Sequence, residues 1–126
     1  MKTKLLLSLF IISLLLTGCG TKLLVFTGES ENWTAKITTS QQDDLQESEI
    51  FLEYKGADPS SVKEFNYFVE SNVENYGREG ATLNKGGALR EKGNMNRGSA
   101  KVTEKTVIEV LIEWNGIEET LTLKQK

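Results

Sequence analysis

The sequence predicts an all-β domain, an antiparallel two-layer sandwich of immunoglobulin-like topology with about seven strands. Three observations predict it. Apolar and polar residues alternate with period two in several short runs, which turns one face of each run to a core and the other to water. Asn115-Gly116 stands between two such runs, and Asn-Gly is the strongest short-range hairpin signal because both central residues of a type I′ turn need φ > 0. Turn residues rather than long amphipathic helices separate the runs, the layout of a sandwich. The Cys…Trp…Cys spacing of immunoglobulin domains is absent, so the topology rests on strand count.

The elements follow in order. Leu23-Leu24-Val25-Phe26 reads as a first edge strand. Trp33, Ala35, Ile37 and Thr39 alternate with Thr34, Lys36 and Thr38 until the polar stretch Gln41-Gln42-Asp43-Asp44 interrupts them. Ile50, Leu52 and Tyr54 share one face of the next strand, opposite Glu49, Phe51, Glu53 and Lys55, and Gly56-Ala57-Asp58-Pro59 ends it with turn chemistry. Val62, Phe65, Val69, Val73 and Tyr76 fall at helical spacing, with Asp58 as cap, Pro59 at the first helical position and Gly77 as stop. Against that helix, Phe65, Tyr67 and Val69 alternate within an aromatic and branched run, and Asn66, Ser71, Asn72 and Asn75 are weak helix formers. The balance predicts a strand near 65–70.

Between Gly77 and Gly98 the composition changes to six glycines in 22 residues, with Arg78, Lys85, Arg90, Lys92 and Arg97 against Glu79 and Glu91. Ala81 to Leu83 and Ala88 to Arg90 suit a short hairpin across Asn84-Lys85-Gly86-Gly87, with the remainder a mobile loop. In the last hairpin Trp114 should lie opposite Ile117, Val110 opposite Leu121 and Ile108 opposite Leu123. Glu119, opposite Ile112, interrupts an otherwise apolar face.

The N-terminus carries a different message. Lys2 and Lys4 precede a mainly apolar run from Leu5 to Leu16, the order of a secretory signal. The run is shorter than the roughly 20 apolar residues of a membrane-spanning helix. Leu16-Thr17-Gly18-Cys19 resembles the lipobox of bacterial lipoprotein signal peptides at all four positions. The resemblance implies a diacylglyceryl group on the Cys19 thiol, cleavage before Cys19, and a mature chain beginning there. Two acyl chains anchor stably where one holds only reversibly, since each buried methylene contributes about 0.8 kcal/mol. The competing readings are a secreted protein with a chance Gly-Cys and a buried core thiol, the latter opposed by the glycines on either side of Cys19. The organisation is then 1–18 signal peptide, 19–28 lipidated N-terminus and tether, and 29–126 β-sandwich.

Cleavage leaves 108 residues, enough for one modest core. With one cysteine in the chain, no internal disulfide forms and burial alone stabilises the fold. Loss of Lys2 and Lys4 shifts the formal net charge from −3 to −5, which argues against nucleic acid as a partner.

There is no histidine, which removes the commonest general base, the usual Ser-His and Cys-His pairs and most zinc sites. Adjacent carboxylates such as Asp43-Asp44 and Glu118-Glu119 point to opposite faces of a strand and cannot share a substrate. No phosphate-cradling or calcium-binding pattern is present, and no cofactor is implied. Trp33 and Trp114 alternate in phase with core positions and read as core rather than as sugar platforms.

Two candidate surfaces emerge. Phe51 and Phe68 fall on the faces opposite their strands' apolar sets and form a docking patch if those strands are neighbours. The cations Arg78, Lys85, Arg90, Lys92 and Arg97 on a glycine-rich loop suit anionic headgroups or anionic wall polymer, through an attraction screened within about 10 Å at 0.1 M salt.

With its lipobox, short Lys/Glu/Asn-rich mature domain and closing stretch Ile112-Glu113-Trp114-Asn115-Gly116, Glu118-Glu119-Thr120-Leu121, the chain resembles the small lipoproteins of Gram-positive bacteria. That resemblance implies attachment to the outer face of the cytoplasmic membrane and brings no activity and no catalytic residue. The expected function is a non-enzymatic binding or accessory module of the cell envelope, touching the bilayer through Cys19 and an envelope protein or anionic wall polymer through its surface. The alternative is a small envelope hydrolase or transferase built on carboxylates, which requires a cleft where acidic groups converge.

Overall fold

The computed structural model describes residues 20–97 and 101–125. Cys19 and the leader before it lie outside the described residues. Eight strands run β1 Lys22–Glu29, β2 Trp33–Gln42, β3 Leu45–Tyr54, β4 Glu64–Glu70, β5 Asn75–Thr82, β6 Ala88–Arg97, β7 Ile108–Trp114 and β8 Ile117–Gln125. The domain is all-β and antiparallel. In place of about seven strands in two immunoglobulin-like layers, these eight form one sheet in the order β5-β4-β7-β8-β1-β2-β3-β6, curled until it nearly closes into a barrel. Alternation shows which face of a strand is buried, but it does not distinguish a partner sheet from the far wall of the same sheet.

The first strand is not an edge. β1 lies between β2, with which it pairs from Lys22↔Gln41 to Glu29↔Thr34, and β8, with which it pairs at Phe26↔Gln125 and Thr27↔Lys124. Leu24 and Phe26 belong to the core, so the folded body starts at Lys22 and most of the expected 19–28 tether is strand. The stretch Gln41-Gln42 continues β2 rather than ending it, and the chain turns on Asp43-Asp44 alone.

The strand expected near 65–70 is β4, with Phe65, Tyr67 and Val69 inward and Phe68 outward. The helical signals before it are real but brief. Asp58 Oδ1 accepts from the Ser60 amide at 3.1 Å, and Pro59–Ser61 form a single 3₁₀ turn. Lys63, at φ 56°, then turns the chain into β4.

The C-terminal hairpin has the expected register, with Trp114↔Ile117, Val110↔Leu121, Ile108↔Leu123 and Ile112↔Glu119. Asn115 at φ 49° and Gly116 at φ 74° both occupy the left-handed region that a type I′ turn requires.

An eight-stranded barrel is just wide enough for side chains to fill its interior. Trp33, fully buried, gathers an aromatic cluster toward the end of the barrel where β2 begins, its ring centroid 5.3 Å from Tyr54, 5.1 Å from Phe65 and 5.5 Å from Trp114. Both tryptophans are core, and neither offers a face to a sugar.

Candidate functional site

The glycine-rich segment is not a loop. Asn84 begins a local turn, its amide donating to the Ala88 carbonyl at 2.8 Å and its carbonyl accepting from the Gly87 amide at 3.0 Å. Beyond that turn the expected hairpin separates: β5 pairs with β4 and β6 with β3, so the two strands form opposite edges of the sheet. The glycines and charges that suggest mobility belong instead to two strands whose outer faces are solvated.

The five cations are accordingly dispersed. Arg78 on β5 pairs with Glu91 on β6 across the closing edges. Lys85 is exposed at the tip of the turn. Arg90 pairs with Glu49 at 2.5 Å and stacks its guanidinium 5.0 Å above the centre of the Phe51 ring. Lys92 is exposed and pairs in register with Glu49. Arg97 pairs in register with Leu45, its side chain lying outside the described residues.

Phe51 and Phe68 do not form a joint patch. β3 and β4 are not neighbours; Phe68 lies between Leu111 and Gly77 in register, and Phe51 between Lys36 and Arg90. What the structure does bring together is Phe51, Arg90 and Lys92, on the outer face of β2, β3 and β6. A shallow groove of about 380 Å³ runs beside them, lined by Thr38, Ser40, Glu47, Glu49, Arg90 and Lys92 among others. Cations, carboxylates and hydroxyls alternate along it.

A second cluster, not apparent from the sequence, lies inside the barrel where β5 approaches β6. Ser48 Oγ donates to Glu74 Oε1 at 3.1 Å and lies 3.2 Å from Thr39 Oγ1. Glu74 is only 7% exposed and its Oε2 has no partner among the described residues. Burial pushes its carboxyl above the usual carboxylate range, against the opposing pull of the Ser48 hydrogen bond. Tyr76 Oη is likewise buried without a partner, and burial, then the charge of Glu74, raises that phenol. Tyr67 Oη donates to Glu91 Oε1 at 3.0 Å; burial first and then this bond raise the Tyr67 phenol too. The signal for Ser48 was strand parity, since it shares a face with Ile50 and Leu52. Glu74 lay in a segment whose periodicity was ambiguous.

Glu119, the carboxylate that interrupts the apolar face, has a structural task at the opposite end of the barrel. It accepts from Ser30 Oγ at 2.5 Å, the Asn32 amide at 2.9 Å and Asn32 Nδ2 at 2.5 Å, holding the β1–β2 turn to β8. Partial burial raises its pKa, but the bonds from Asn32 and Ser30 and the charge of Lys55 outweigh that and hold it below the usual range.

Carboxylates also gather in an open groove of about 640 Å³ at the end of β4, β7 and β8, where Glu64, Glu113 and Glu118 line the wall with Asn66. Glu113 and Glu118 face each other in register on the solvated outer surface. The groove is open to solvent on this face. Among the described residues no group of acidic or cysteine side chains has the geometry of a metal site, and no helix is long and apolar enough to cross a membrane. Compared with protein-family models, curated proteins and solved structures, the chain finds no match.

Proposed function

We propose that the chain is a lipoprotein held on the extracytoplasmic face of the cell membrane by acyl chains on Cys19, and that its barrel serves as a non-enzymatic binding or accessory module of the envelope. The observation that carries this reading is the close succession of Leu16-Thr17-Gly18-Cys19 and a folded body whose first strand starts at Lys22. An apolar leader, a lipobox cysteine and an immediately following barrel make an anchored domain without a spanning helix.

The contact surface in this reading is the outer face of β2, β3 and β6. There Lys36 and Arg90 flank Phe51 in register, Lys92 lies opposite Glu49, and Glu47 follows on the same face of β3, so charges of both signs are interspersed. Interspersed charge favours a protein partner of complementary pattern over a uniform polyanion such as a wall polymer, which the two carboxylates would repel.

Metabolic labelling with a fatty-acid probe, compared between the native chain and Cys19→Ser, tests the anchor. Label and membrane association should both be lost in the variant. A photo-crosslinking residue at position 92, compared with one at 117 on the far wall, tests the face. A discrete adduct only from position 92 supports it, whereas equal or absent adducts at both positions dismiss it.

A further inference from the structure

We infer that the end of the barrel from which β1 starts is seated on the lipid bilayer, with Leu23 and Val107 in the headgroup layer; this rests on acylation of Cys19. Antiparallel pairing brings to that end Lys22 and Leu23, the Asp43-Asp44 turn, the Ser71–Glu74 turn, the segment leading into β7 and the last residues of β8.

The first argument is reach. Only Gly20 and Thr21 separate Cys19 from β1, and three fully extended residue steps span at most about 11 Å. Each headgroup layer is itself roughly 5–7 Å deep. A domain on so short a leash cannot leave the surface, and the end bearing the leash must face it.

The second argument is what that end displays. Among the described residues the exposed large apolar side chains are Leu23 at 62%, Ile117 at 47%, Val107 at 45% and Phe68 at 37%. The most exposed of the four lies four positions after the acylated cysteine, beside exposed Lys22. Val107 is held out of the core by a firmly bonded approach. The Val102 amide donates to Gln46 Oε1 at 2.9 Å and its carbonyl accepts from Gln41 Nε2 at 2.8 Å. The Thr103–Thr106 turn is closed by the Thr106 amide on the Thr103 carbonyl at 3.1 Å and the Thr103 amide on Thr106 Oγ1 at 2.8 Å. Buried Val102 and Ile108 then leave Val107 facing outward next to Lys105. An apolar side chain fixed in water gains by entering the interface.

Charge is not the driver. At this end Lys22, Lys101, Lys105 and Lys124 are balanced by Asp43, Asp44, Glu70 and Glu104, so the seat should depend little on ionic strength.

The test uses the mature lipoprotein in vesicles of equal parts phosphatidylcholine and phosphatidylglycerol. Thioether formation leaves Cys19 without a free thiol, so Leu23→Cys, Val107→Cys and Ile117→Cys each accept one environment-sensitive fluorophore, and lipid nitroxides at headgroup depth act as quenchers. All three positions are exposed, and unchanged thermal melts verify folding. Quenching at 23 and 107 several-fold stronger than at 117, and unaltered by added salt, supports the seat. If the protein floats with vesicles but all three positions are quenched alike, the seat is wrong and the anchor stands. If the protein does not float at all, the anchor fails and the seat fails with it.

Discussion

Tyr76 of β5 lies across Gly93 of β6, so closely that a Cβ at position 93 would stand 2.6 Å from the ring carbon Cζ. These two strands are the ends of the sheet and share no ladder. Closure of the barrel therefore depends on side chains: the Tyr76 ring over Gly93, the Tyr67–Glu91 hydrogen bond and the Arg78–Glu91 pair. Both strands are bulged, β5 opposite Asn66 and β6 opposite Ser48, and a bulge makes an unpaired edge a poor template for a foreign strand.

Gly93→Val should destabilise the domain by about 1–3 kcal/mol, because the partly buried ring must leave its place. Tyr76→Phe should change stability by no more than about 0.5 kcal/mol or raise it, since the hydroxyl it removes is buried without a partner. Urea denaturation of both variants checks the pair. A benign valine together with a costly phenylalanine would mean that the hydroxyl, not the ring, closes the barrel.

The buried Glu74 makes stability depend on pH in a defined sense. Its carboxyl is raised in the folded state, so the native protein holds the proton more tightly than the unfolded chain. Stability from this group is complete below the ordinary carboxylate range and is lost as pH rises through the elevated folded value. Glu74→Gln should therefore be more stable than the native chain at pH 8, with the difference shrinking as pH falls through the elevated folded value and levelling off below the ordinary carboxylate range. Thermal melts across pH 3–8 measure the crossover.

Glu119 has the opposite sign. Its lowered pKa contributes stability that is present above the ordinary carboxylate range and disappears as pH falls through the folded value. Glu119→Ala should cost about 1–2 kcal/mol at neutral pH, modest because the carboxylate is partly solvated. It should also raise the hydrogen-exchange rate of the Asn32 amide, which loses its acceptor.

Arg90 holds both Glu49 and the Phe51 ring. A double-mutant cycle of Arg90→Ala and Phe51→Ala should give a coupling of about 0.5–1 kcal/mol, the value of an exposed cation–π contact. Strict additivity would show that the stack carries no energy.

Much of the wall was readable in advance. Alternation located β2, β3, β4, β7 and β8, and Asn115-Gly116 supplied the last hairpin with its register. Closure was not readable, because it depends on which strands meet at the ends of the sheet. Residues 77–98 misled for a related reason: edge strands bury one face only thinly, so Arg78, Glu79 and Gly80 occupy β5 without an apolar alternation. The interior polar groups Gln46 and Ser48 share the inward parity of Ile50 and Leu52 but carry no apolar signal of their own, and Glu74 lies in the stretch whose periodicity was ambiguous. Of the two expected surfaces neither assembles as expected: Phe51, expected beside Phe68, lies instead beside Arg90, which was expected on a mobile loop. Phe68, Arg78 and Lys85 fell elsewhere, since long-range strand order decides proximity.

The most direct test of the anchored barrel is the intact mass of the protein extracted from its native membrane. The account predicts a chain that begins at Cys19 and carries a diacylglyceryl group on that residue's sulfur. An unmodified chain, one cut at another bond, or one that retains residues 1–18 would contradict it.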